Sequence, residues 1–145
     1  MNNRTRKKLP KRLCWAASEG RVGELKRMLE KGANPGSRFE GVSALYLAAA
    51  RGEIRCAALL LGAGASPNEE SRGWRSGLPL AAAATHADAD MVRLLLDHGA
   101  DPLLKETGGA SALEWAQGWD ENVEAHREVE EMLEAASRSG PIVKD

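Results

Sequence analysis

The sequence predicts an all-α solenoid of about four stacked helix pairs, on three observations. Leucines at 13, 45, 80 and 113 each open a segment of similar pattern, 32 to 35 residues apart. Three of the four segments end alike, in Gly32-Ala33-Asn34-Pro35, Gly64-Ala65-Ser66-Pro67 and Gly99-Ala100-Asp101-Pro102. Finally, aromatic residues make up only 4% of a chain that is 43% hydrophobic, so the core must come from Leu, Val and above all Ala. Small side chains let helices approach closely. Runs of β-branched and aromatic residues that would form strands are absent.

Each repeat predicts two helices. The first is short and Ala-rich: Leu13-Cys14-Trp15-Ala16-Ala17, Leu45-Tyr46-Leu47-Ala48-Ala49-Ala50, Leu80-Ala81-Ala82-Ala83-Ala84, and Leu113-Glu114-Trp115-Ala116. Gly20 and Gly52 can end it in a left-handed conformation. The second helix places apolar residues at i, i+3 and i+4, as in Leu25, Met28 and Leu29, or Val92, Leu95 and Leu96, which gives one buried stripe. Gly32, Gly64 and Gly99 can end that helix, and the proline three residues on keeps it from resuming. Asp88 or Asp90 is placed to cap the second helix of repeat three. In the fourth repeat, Val129, Met132 and Leu133 fall about four residues late, which implies an insertion near Trp119–Glu124. One such helix pair cannot bury its own apolar face, whereas a stack can.

The segments GVSALYLAAARGEIRCAALLLGAGASPN and LPLAAAATHADADMVRLLLDHGADP resemble the ankyrin-repeat family, and the resemblance runs from about residue 9 to 135. The family's T-P-L-H box is altered here to Ser43-Ala44-Leu45-Tyr46 and to Leu78-Pro79-Leu80-Ala81. The expected organisation is a basic arm or cap start at 1–12, a repeat domain at 13–136 and a flexible tail at 137–145. The repeats fall at about 13–35, 41–67, 76–102 and 109–135, joined by hairpin-like loops.

What the resemblance implies about function is a protein partner held on the concave face, by hairpin tips and the exposed sides of the first helices. Carried over position by position, the expected contact residues are Phe39, Glu40, Arg51, Trp74, Arg75, His86 and Trp119. Trp74 stands out within NEESRGWRSG, a polar loop longer than its siblings, and Trp and Arg are enriched at binding hot spots. Arg51 and His86 would add polar specificity, and Trp119 could instead pack beneath the repeat-four insertion. Trp15 and Trp115 occupy matching positions, where core or end-cap packing is expected.

Charge adds a second possibility. Residues 1–12 carry +6 and no acid, leaving −7 for the rest of a chain whose net charge is −1. The basic arm could touch nucleic acid or an anionic surface. No aromatic interleaves its charges before Trp15, so a solvated cap is the preferred reading and a nucleic-acid partner is not expected. Cys14 and Cys56 lie in apolar segments without ligand spacing and read as free buried thiols. His86, His98 and His126 fall in separate repeats, and no phosphate-loop motif is present. No enzyme activity, cofactor or metal is expected. No apolar run reaches the ~18 residues of a membrane span. The expectation is therefore a monomeric, cytoplasmic adaptor, inhibitor or immunity-type protein.

Overall fold

A computed structural model describes residues 2–118 and 123–140. Four antiparallel helix pairs follow one another: α1 (Asn3–Ser18) with α2 (Val22–Glu30), α3 (Ala44–Arg51) with α4 (Ile54–Gly62), α5 (Pro79–Thr85) with α6 (Ala89–Asp97), and α7 (Ala112–Gln117) with α8 (Glu124–Ser139). The first helices α1, α3, α5 and α7 stack in one row, and α2, α4, α6 and α8 stack in a second. Two short strands, β1 (Arg38–Phe39) and β2 (Val42–Ser43), form an antiparallel hairpin between α2 and α3. Isolated bridges Ser71↔Gly77 and Lys105↔Ser111 mark the equivalent hairpins before α5 and α7.

Composition dictates this stacking. Ala16, Ala17, Ala48, Ala49, Ala83 and Ala84 are essentially without exposure and lie in the first-helix row. Leu13, Leu25, Leu60, Leu80, Leu95 and Leu133 fill the space between the rows. Each buried leucine contributes about 1.5–3 kcal/mol.

The backbone closes the six helices α1 to α6 in the same way. The amides of Arg21, Glu53 and Asp88 donate to the carbonyls of Ala16, Ala48 and Ala83 at 2.9, 2.9 and 3.1 Å. Those of Ala33, Ala65 and Ala100 donate to Met28, Leu60 and Leu95, each at 3.0 Å. Such five-residue closures need a left-handed residue just past the helix. Gly20 (φ 69°) and Gly52 (φ 71°) supply it after α1 and α3, and Ala87 (φ 51°) takes the same place after α5.

Helix starts differ among repeats. Ser43 accepts from the Tyr46 amide at 3.1 Å, so the altered box keeps its cap. Ser111 and Glu114 form a reciprocal capping box, which holds the Glu114 carboxyl below its usual range. Leu78 cannot cap α5 with its own side chain; Pro79 occupies the first turn and Glu106 Oε1 accepts from the Leu78 amide at 2.8 Å. Asp88 caps α6 by accepting from Met91 N at 3.1 Å.

Two boundaries differ from the sequence expectation. Residues 3–12, expected as an arm or the start of a cap, are the first part of α1, which starts at an Asn2 cap and runs through Pro10. The C-terminal helix continues to Ser139 rather than giving way at 137.

Candidate functional site

The hairpin before α3 sets the geometry of the candidate site. Its two loop residues, Glu40 (φ 51°) and Gly41 (φ 84°), are both left-handed, the pattern of a tight two-residue turn that follows strand twist. The longer loop 71–77 lies directly against this turn. Arg72 N donates to Gly41 O at 2.9 Å, and the Arg38 guanidinium donates to the carbonyls of Gly41 and Glu70 at 3.0 Å each. Ser71 is fully buried; its hydroxyl donates to Arg75 O at 3.0 Å and accepts from Ser43 N at 3.1 Å. Next along, Glu70 accepts from the Thr107 amide and hydroxyl at 2.9 and 2.7 Å, which holds its carboxyl below the usual range. Successive hairpins are thus cross-linked through polar contacts, and Trp74 projects from a braced loop.

A groove opens where α1, β1, α3 and this loop meet. Trp15, Phe39, Leu47 and Trp74 line it, with Arg51 and Arg75 on its rim and Cys14 and Ser18 at its base. It encloses about 60 Å³. Trp15 is 43% and Trp74 57% exposed, a large outlay of aromatic surface to water. The Arg75 guanidinium lies 5.6 Å from the Trp74 ring centroid and Lys11 Nζ lies 5.2 Å from that of Phe39. Both are cation–π placements.

Beneath the groove the Cys14 thiol faces the carbonyls of Ser37 and Val42 at 3.6 and 3.8 Å. Burial pushes its pKa up to about 11, so it is neutral at physiological pH. Cys56 is also free and buried, and burial raises its pKa too.

Of the residues expected to meet a partner, the groove unites Phe39, Arg51, Trp74 and Arg75. Glu40 is exposed at the hairpin tip and His86 caps α5, its Nδ1–H donating to Ala82 O at 2.7 Å; neither lines the groove. Trp119 lies outside the described residues.

Trp15 and Trp115, expected in core or end-cap packing, are not core residues. Trp115 is 44% exposed and its indole N–H donates to Glu106 Oε2 at 3.1 Å. The reason is register: Trp15, Leu47, Ala82 and Trp115 share one position, two residues past the leading leucine, and Trp15 and Leu47 at that position face the groove. The interhelical positions beside it hold alanine, where an indole has no room. Reading that column across all four repeats would have placed Trp15 in the site. Among the described residues, no three His, Cys, Asp or Glu side chains are grouped to hold a metal, and no helix is long and apolar enough to cross a membrane.

Comparison with known proteins agrees with this architecture. A profile for ankyrin repeats in many copies matches residues 13–69, and one for a single ankyrin repeat matches residues 78–106. An ankyrin repeat-containing protein of Treponema pallidum (strain Nichols) is 36% identical over 107 residues, which cover 72% of this chain. The match spans about a third (35%) of that relative's length. Ankyrin repeats generally mediate protein–protein interaction and are generally non-catalytic. On the repeat matches, the relative and the stacked helix pairs together, this chain belongs to the ankyrin-repeat family.

Proposed function

We propose that the chain is a non-catalytic binding protein that captures a partner protein in the groove between Trp15, Phe39 and Trp74, as an adaptor, inhibitor or immunity-type protein. The observation that carries this reading is the convergence of Trp15, Phe39 and Trp74, from three separate elements, on one groove, with both indoles largely exposed. Binding hot spots favour such aromatic and arginine side chains. Trp15, Phe39 and Trp74 are the centre of the contact, with Arg51 and Arg75 on its rim. Glu40 and His86 lie outside the groove and belong to the rim of a larger interface. The chain acts as a monomer in a reducing, cytoplasmic setting, which suits two free buried thiols.

The test is affinity capture from a source lysate with the full chain, comparing the wild type with Trp74→Ala and with Lys26→Ala on exposed α2. A protein retained by wild type and Lys26→Ala but lost with Trp74→Ala is the expected result. Equal recovery of every captured protein by all three forms contradicts the assignment.

A further inference from the structure

The exposed stripe of α1 that ends at the groove carries a line of cations. Arg4, Lys8, Lys11 and Trp15 follow at spacings of four, three and four residues, so they share one helix face. All four are exposed. At 1.5 Å per residue the stripe runs roughly 16 Å from Arg4 to Trp15. Arg51 and Arg75 continue it across the groove. The ion pairs of the fold lie elsewhere: Arg12 with Glu24, Arg21 with Glu19 and Glu24, Arg38 with Glu69, Arg93 with Asp90. Among the described residues, no carboxylate is paired with Arg4, Lys8, Lys11, Arg51 or Arg75, and none lines the groove.

We infer that the groove and this stripe together recognise an acidic segment of a partner protein, with one aliphatic side chain seated between Trp15, Phe39 and Trp74 and flanking carboxylates on Arg51, Arg75 and the Arg4–Lys8–Lys11 stripe. The inference rests on the proposed groove and adds the chemistry of its occupant. Three observations select that chemistry. Charge is complementary: among the described residues the cations on the track have no carboxylate partners, so an acidic ligand neutralises them without breaking one of those ion pairs. The size is right for an aliphatic anchor, because about 60 Å³ admits the end of one such side chain. The aromatic faces already hold Lys11 and Arg75, which presents those cations outward to a carboxylate instead of leaving the rings free to stack on bases. The −7 carried by the remainder of the chain also repels a long polyanion, while a short acidic segment stays on the track.

Selection of a random displayed peptide library on the full chain tests this, with Trp74→Ala and the double variant Arg51→Glu, Arg75→Glu run beside the wild type. Both sites are exposed, and far-UV circular dichroism verifies that the variants fold. The expected outcome is Trp74-dependent binders in which Asp and Glu surround one Leu, Ile or Val. Those peptides should lose at least tenfold in affinity on the charge-reversed variant and weaken as salt rises from 0.05 to 0.5 M. Trp74-dependent binders with neutral or basic flanks would overturn the acidic-segment inference and leave the groove reading standing. Absence of any Trp74-dependent binder would overturn both. Tighter, Trp74-dependent binding of a single-stranded oligothymidylate than of any selected peptide would overturn the inference in favour of nucleic acid.

Discussion

Gly73 packs so closely on Glu40 that a β-carbon at residue 73 would overlap the Glu40 carbonyl oxygen. Gly73 is also left-handed (φ 109°), so glycine is required there twice over. This contact seats the Trp74 loop on the preceding hairpin. Gly73→Ala should therefore push the loop outward, destabilise the fold by about 1–3 kcal/mol and weaken partner capture more than its stability loss explains. Chemical denaturation together with binding at a temperature where the variant is fully folded checks both effects. A variant that binds as wild type would show that the loop's seating does not position Trp74.

Ala87 holds the left-handed place that Gly20 and Gly52 fill in the first two repeats. A β-carbon there costs about 1–2 kcal/mol, and the unfolded-state entropy of glycine offsets about half of it. Ala87→Gly is thus expected to stabilise the chain by about 0.5–1 kcal/mol, seen as a higher midpoint in urea with an unchanged slope.

Glu106 bridges repeats three and four: one carboxylate oxygen accepts from Leu78 N at 2.8 Å and the other from the Trp115 indole at 3.1 Å. Removing it leaves the start of α5 without that acceptor. Glu106→Ala should lower stability by about 1–3 kcal/mol. Hydrogen exchange is expected to quicken first at the amides around Leu78. Uniform quickening throughout the chain would speak against a local capping role.

The Cys14 thiol gives a pH dependence. Its pKa rises from 9.0 to about 11 on burial, so the unfolded chain loses that proton first. The stability it contributes is complete below about pH 9 and is lost as the pH climbs through 11. Tyr46 and Cys56, both raised by burial, act in the same direction. Thermal melts from pH 8 to 11 should fall more steeply for wild type than for Cys14→Ala.

Much of the fold was legible because a repeat states each rule several times over. The leucine column and the Gly-Ala-x-Pro endings identify the helix pairs, and the structure places those leucines in the core or against it. Trp74 was legible from the length and polarity of its loop. Trp15 was not, because an apolar residue inside an Ala-rich helix reads as core until its column is compared across repeats. The Gly73–Glu40 contact joins residues more than thirty positions apart, and only the three-dimensional register of two hairpins reveals it. Lys8 and Lys11 looked like an arm because charge and Pro10 mask the helical period that continues into Trp15.

The groove itself is tested most directly by the indole N–H resonances of the chain's four tryptophans on titration with the captured partner. Trp15 and Trp74 should shift or broaden together at stoichiometric partner, while Trp115, two repeats away on α7, holds its position. A partner that saturates the chain and leaves both Trp15 and Trp74 unmoved would contradict the account.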